Sequence, residues 1–129
     1  MNFIVIDDDE INNMLCQIII KQAMGGAQVE TFVFPKEGLN YIKNNFTQPA
    51  EKIETILFLD INMPEMNAWE FLEQYDLLPE DVKSQLLIIV LSSSVNEEDK
   101  RRAAENKYVS SYLVKPLLKD TIRSIVASL

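Results

Sequence analysis

Residues 7–10 read Asp-Asp-Asp-Glu, immediately behind the apolar run Phe3 to Ile6, and a second run, Thr55 to Leu59, again ends on an acid, Asp60. Gathered together, Asp7, Asp8 and Asp60 would repel one another, with about 4 kcal/mol between close unit charges near a protein surface. A compensating cation is implied. A few carboxylates with room left for water suit Mg²⁺ better than a crowded Ca²⁺ cage, and Mn²⁺ is chemically acceptable. Two more polar groups close apolar runs: Ser92 follows Leu86 to Leu91, and Lys115 follows Tyr112 to Val114. A hydroxyl and an ammonium beside a metal-holding acid cluster can retain a tetrahedral anion, which is what phosphoryl transfer needs. Aspartate can itself be the nucleophile and form an acyl phosphate, and Asp60, from the central run, is the candidate. A metal-dependent enzyme without a covalent intermediate uses the same residue types, and at this level both readings stay open.

Each residue also has an ordinary use. Ser92 suits a turn cap, Lys115 a surface charge, and Asp9 and Glu10 the first turn of a helix. What favours chemistry is that the elements bring these residues to one place. Phe3 to Ile6 reads as a buried strand. Asp9 or Asp8 can cap the helix behind it, in which Ile11, Met14, Leu15, Ile18 and Ile19 form a broad apolar face and Gly25 and Gly26 mark the stop. Gln28 to Phe34 is a second strand, and Pro35 opens a helix carrying Leu39, Ile42 and Phe46. Asn44 to Glu54, with Pro49, reads as a loop. Thr55 to Leu59 is the third strand, followed by a helix with Ala68, Phe71, Leu72 and Tyr75 on one face and Trp69 at its edge.

Leu86 to Leu91 is a fully buried parallel strand. Asn96 caps a polar helix beginning Glu97, Glu98, Asp99, whose small apolar members are Ala103 and Ala104. Tyr112 to Val114 is the fifth strand, and Leu118, Ile122, Ile125, Val126 and Leu129 mark the last helix. A strand-helix unit repeated five times predicts an α/β fold with a parallel sheet. Right-handed crossovers then send every strand's carboxyl end to one edge, where open α/β sheets bind ligands.

Composition narrows the classes. The chain has 129 residues, 47% hydrophobic and 25% charged, which fits one domain, 1–129, with its own core. Histidine is absent and Cys16 is the lone cysteine, so histidine catalysis, soft-metal sites and a disulfide framework are excluded, and Cys16 reads as a small buried hydrophobe. A net charge of -8 argues against direct binding to nucleic acid or an anionic membrane. With no signal-like or spanning segment, a cytoplasmic location is expected. Glycine occurs at Gly25, Gly26 and Gly38 alone, which excludes glycine-rich nucleotide loops.

The segments FIVIDDDE, FLDINMPEM, IIVLSSS and SYLVKPL, in this order with helices between them, resemble the receiver domain of two-component response regulators, the CheY-like family. The likeness covers essentially the whole chain. It implies a flavodoxin-like, doubly wound (βα)5 three-layer sandwich with sheet order 2-1-3-4-5. By the same resemblance Asp60 is the phosphoacceptor, supplied by a histidine kinase or histidine phosphotransfer protein. Mg²⁺ would be held by Asp8 directly, by Asp7 mainly through water, by Asp60 and by the backbone carbonyl of Asn62. Lys115, followed by a commonly cis Lys-Pro bond, would contact the phosphate, and Ser92 and Tyr112 would act as switch residues.

The resemblance further implies a chain that is no conventional enzyme but promotes its own phosphorylation and dephosphorylation. Its output would be a change in protein contacts on the polar fourth helix, fifth strand and last helix, with room for a homodimer and with Trp69 offering another surface. Two alternatives stand beside it: a receiver-like interaction domain that acts without phosphate, and a small Mg²⁺-dependent phosphatase. Ala68, preceded by Asn67, replaces the glycine usual after the MPxM segment, which puts the local turn in question. Leu129 closes the last helical pattern, leaving a stand-alone regulator, a relay intermediate and a piece of a longer regulator all open.

Overall fold

The apolar runs pair side by side. In the computed structural model, which describes residues 1–48 and 50–129, the order is β1 (Asn2–Ile6), α1 (Glu10–Ala23), β2 (Gln28–Phe32), α2 (Pro35–Asn45), β3 (Thr55–Asp60), α3 (Ala68–Asp76), α4 (Glu80–Lys83), β4 (Leu86–Ser92), α5 (Glu97–Glu105), β5 (Val109–Val114) and α6 (Lys119–Ala127). Pro49, read above as part of a loop, lies outside the described residues. The five strands form one parallel sheet in the order β2-β1-β3-β4-β5, the flavodoxin-like arrangement expected from the resemblance.

Alternation along the strands divides the core. Ile4, Ile6, Leu57, Leu59, Ile88 and Val90 face one way, against Ile42 of α2, Phe71, Leu72 and Tyr75 of α3, Val82 of α4 and Ala103 of α5. Phe3, Val5, Ile56, Phe58, Ile89 and Leu91 face the other way, against Cys16 and Ile20 of α1 and Ile122 of α6. β3 is buried at every position because helices cover both its faces. Each such Leu, Ile or Phe contributes about 1.5–3 kcal/mol of transfer free energy, so the stabilisation from burial is concentrated in the middle of the sheet.

Several boundaries differ from the sequence reading. β2 ends at Phe32, because Phe34 must leave the sheet to cap α2, with Pro35 at its first position. β5 begins at Val109, three residues earlier than expected, since Ser110 and Ser111 on a sheet-edge strand mask the apolar pattern. Pro79 opens the one-turn helix α4, too short to show a period. The largest difference is the facing of α1. Ile11, Met14, Leu15 and Ile18 are exposed, and the buried residues are Asn13, Cys16 and Ile20. Apolar side chains occupy nearly the whole circumference of α1, so periodicity cannot select the inner face. Asn13 decides it by donating to the backbone carbonyls of Asp7 and Phe32 at 2.9 and 3.3 Å.

Ala68 is accommodated without strain. Asn67 and Glu70 close a capping box, the Ala68 N–H donates to the Ile61 carbonyl at 3.0 Å, and among the described residues no non-glycine residue has positive φ. Gly38 matters more. A Cβ there would overlap Ile6 Cδ1 and stand 3.0 Å from Ile6 Cγ1, so a bare backbone lets α2 close on the end of β1, one residue before Asp7. Overpacking of about 1–3 kcal/mol exceeds the gain of at most about 1 kcal/mol from replacing a helical glycine. Gly38→Ala is therefore expected to lower the urea midpoint, and adding Ile6→Val, which removes Cδ1, to restore part of it. A Gly38→Ala protein as stable as the parent would contradict the close approach.

Candidate functional site

Strand register brings the chemistry-bearing residues together. Ile6 pairs with Leu59, so Asp7 and Asp60 come next on neighbouring strands, at the point where the strand order reverses. Asp60 pairs with Leu91, Ser92 follows on β4, and Ser92 pairs with Val114, which precedes Lys115. The Lys115 N–H donates to the Ser92 carbonyl at 2.8 Å, and the Lys115-Pro116 bond is cis, as the resemblance implied.

At this edge Lys115 reaches across two strands. Its Nζ donates to Asp7 Oδ2 at 2.7 Å and to Asp60 Oδ1 at 3.1 Å. Asp7 and Asp60 are only 2% and 7% exposed, whereas Asp8 opens to solvent. Carboxylate oxygens of Asp7, Asp8 and Asp60 all lie within 4.8 Å of one another, so one ammonium faces three acids. Burial, followed by repulsion from Asp7, pushes the Asp60 carboxyl up to about 6, and Lys115 offsets only part of this. Burial alone would lower the Lys115 ammonium, but its bonds to Asp7 and Asp60 outweigh that and raise it. Cys16 is no competing nucleophile, since burial and then Asp7 push its thiol up to about 11.

The surroundings fix Asp7 more firmly than Asp60. Asp7 Oδ1 accepts from the Asp9 N–H at 2.9 Å, and Asp7 Oδ2 accepts from the Asn12 side-chain amide at 2.6 Å. Asp9 turns away to cap α1, accepting from the N–H groups of Ile11 and Asn12. Sequence reasoning missed Asn12 and Asn13. Their signal was present: two asparagines in the first turn of an already capped helix have no capping use, and such residues otherwise disfavour helix interiors.

On the other side Ser92 is buried, and its Oγ donates to the Ser94 carbonyl at 2.6 Å. The Tyr112 hydroxyl donates to the same carbonyl at 3.1 Å and accepts from the Asn96 N–H at 3.2 Å. Ser92 and Tyr112 thus share one acceptor in the loop that opens α5. Asn62 is exposed at the start of the loop after β3. Trp69, at the edge of its helix's apolar face, packs in the core: it is 8% exposed, and the Arg102 guanidinium of α5 lies 5.0 Å from its ring centre.

The family profile described as "Response regulator receiver domain" matches residues 3–127. The chain belongs to that family. A response regulator receiver protein from Dyadobacter fermentans superposes with a TM-score of 0.87 at 26% identity, covering 99% of this chain and 96% of that one. Among curated proteins, the probable methanogenesis regulatory protein FilR2 of Methanothrix harundinacea is 25% identical over 95% of this chain and 79% of its own length. The sensory/regulatory protein RpfC of Xanthomonas campestris is 27% identical over 100% of this chain, which spans 16% of RpfC. Receiver-domain phosphorylation is therefore the general function that this fold and acidic cluster support. Membership also implies interaction with a histidine kinase or phosphotransfer partner. Among the described residues no helix is long and apolar enough to cross a membrane.

The receiver's donor set fits a hard divalent cation such as Mg²⁺: all-oxygen ligands, one open side at Asp8, and a positive charge already drawn between Asp7 and Asp60. Without metal the cluster costs stability. The folded Asp60 carboxyl titrates near 6, above the ordinary value of 3.8, so the native state binds the extra proton between those values and stability falls as pH rises through them. Asp60→Asn in EDTA is expected to be more stable than the parent at pH 8, by order 1–3 kcal/mol, with the advantage fading towards pH 4. Urea denaturation across this range measures it. A pH-independent gap, or a less stable variant, would refute the assignment of charge strain to Asp60.

Proposed function

We propose that this chain is a phosphorelay receiver in which Asp60 takes a phosphoryl group from a phosphohistidine of a sensor kinase or phosphotransfer protein and thereby switches protein contacts. The observation that supports this best is the recessed Asp60 carboxylate, flanked by Asp7 and Asp8 on one side and Lys115 on the other, in a member of the receiver family. An Asp60 carboxylate oxygen attacks phosphorus. The P–N bond breaks, its electron pair stays on the imidazole, which takes a proton from solvent, and an acyl phosphate results. Asp7, Asp8, Asp60 and the Asn62 carbonyl would hold Mg²⁺, whose chemistry is to neutralise charge on the transferring oxygens. Lys115 turns from Asp60 to a phosphate oxygen. Attack of water on the same phosphorus returns free Asp60 and phosphate.

The switch follows from the shared acceptor. When the Ser92 hydroxyl turns to the phosphate, the Ser94 carbonyl loses one of its two donors, and the loop moves with Tyr112 and the start of α5. α5 is suited to moving because Ala103 is its one buried residue. The face of α5, β5 and α6 then carries the signal to a downstream protein. A phosphodonor protein has a different surface available, the exposed strip of Ile11, Met14, Leu15 and Ile18 on α1, which begins beside the acidic edge.

Intact-mass analysis after incubation with Mg²⁺ and a small acyl phosphate tests the reading. One labile phosphate is expected on the parent and none on Asp60→Asn or in EDTA. Absence of label on the parent would favour a phosphate-independent interaction domain, and turnover of an external phosphoester would favour a phosphatase. Lys115→Ala is expected to bind Mg²⁺ yet lose the resonance shift at Tyr112 that accompanies phosphorylation, and an undiminished shift would remove Lys115 from the switch. Leu15→Glu is expected to slow transfer from a protein phosphodonor by about tenfold or more, equivalent to about 1.4 kcal/mol, while labelling by acyl phosphate stays unchanged. Equal slowing with both donors would place the donor elsewhere.

A further inference from the structure

Asn12 stands out among the polar side chains that the catalytic reading leaves unused. Its Nδ2 donates to Asp7 Oδ2 at 2.6 Å, the same oxygen that receives Lys115 Nζ at 2.7 Å. The other contact of Nδ2 is Cys16 Sγ at 3.6 Å, and its backbone N–H is already tied to the Asp9 cap at 3.3 Å, so the helix itself does not need this side chain. Asp7 therefore has two donors on one oxygen, one charged and one neutral. Asp60 has Lys115 as its one hydrogen-bond partner among the described residues.

We propose that Asn12 is a positioning residue: its amide holds the Asp7 carboxylate in place independently of Lys115, which leaves the ammonium free to be drawn away towards an anion on Asp60. This rests on the phosphorelay reading for its last step only.

The physical argument is one of replacement. A buried carboxylate oxygen that loses its donor costs roughly 1–3 kcal/mol or more. If Lys115 were the sole donor to Asp7 Oδ2, every excursion of the ammonium would meet that penalty and would leave the Asp7 carboxylate held by one oxygen alone, through the Asp9 N–H. With Asn12 in place one donor remains, and because an amide carries no charge it does not compete electrostatically with a cation entering beside Asp7 and Asp8. Asn12 is anchored through the first turn of α1, and that turn is fixed by Asp9 and by Asn13, whose amide is bonded to the Asp7 carbonyl. Helix and strand end are thus locked at the depth Asp7 requires.

The metal-free protein gives the first test. By NMR, the Asn12 side-chain amide is expected to resonate as a carboxylate-bound group, to keep that shift in Lys115→Ala, and to lose it in Asp7→Asn. An Asn12 shift that disappears with Lys115 would overturn independence. The second test is Mg²⁺ affinity by calorimetry. Asn12→Leu, of similar volume without a donor, is expected to weaken binding about three- to tenfold, and by a larger factor in the Lys115→Ala background, where Asn12 is the remaining side-chain donor to Asp7. Asn12→Gln, which keeps the amide, is expected to recover part of the loss. A purely structural role would lower the melting temperature without this pattern, and equal affinity in the parent, Asn12→Leu and Asn12→Gln would overturn the proposal. Acyl-phosphate labelling separates the outcomes: normal labelling with unchanged affinity defeats the Asn12 role alone, whereas no labelling of the parent defeats the phosphorelay reading and leaves the Asn12 tests standing.

Discussion

One ammonium shared by two buried carboxylates governs this protein. Lys115 bonds both Asp7 and Asp60, at the place where β1 and β3 diverge in sheet order. Removing three such groups from water costs more than their pairing returns unless the geometry and remaining hydrogen bonds are good. At Asp7 they are good and at Asp60 they are not, and Asp8 adds a third negative charge beside them. The bridge holds the sheet edge together but leaves the charge unbalanced. That residual imbalance suits the edge to a hard divalent cation.

The rest of the fold divides into a closely packed part and a loosely attached one. β1 and β3 lie under helices on both sides, with their apolar residues sealed from solvent. Their carboxyl ends cannot drift without disturbing close-packed side chains. β5 and α5 are different. β5 is a sheet edge, α5 buries Ala103 and little else, and two hydroxyls converge on the Ser94 carbonyl between them. Arg102 over Trp69 gives α5 a further attachment to α3. It is a contact between a flexible surface side chain and a fixed ring, and contacts of that kind rearrange at small cost.

How much of this the sequence disclosed depends on what kind of signal each feature leaves. Strands that are buried on both faces leave long apolar runs, and parallel strands all end at one edge, so Asp7, Asp8, Asp60, Ser92 and Lys115 could be gathered without coordinates. The inner face of α1 could not be chosen, since Ile11, Met14, Leu15 and Ile18 offered as strong an apolar face as Cys16 and Ile20. The choice was made by Asn13 and two backbone carbonyls, a tertiary interaction that leaves no period. The start of β5 was hidden by Ser110 and Ser111, and α4 by its single turn. Asn12 left only a weak signal, an asparagine without capping use in the first turn of α1, because a side chain that orients another side chain follows neither a helical rule nor a metal-ligand pattern.

Two buried aspartates level with each other on neighbouring strands differ because of what surrounds them, as pairs of titratable groups in active sites commonly do. Asp7 has an oxygen bound to a backbone N–H and another bound to an amide and an ammonium, so both its oxygens are held and its position is determined. Asp60 meets Lys115 alone among the described residues, is as recessed, and is pushed up to about 6 by burial and by Asp7 itself. The hydrogen bonds given to Asp7 and withheld from Asp60 thus leave two side chains of identical composition in opposite states: Asp7 is fixed in position, and Asp60 carries the charge strain of the cluster.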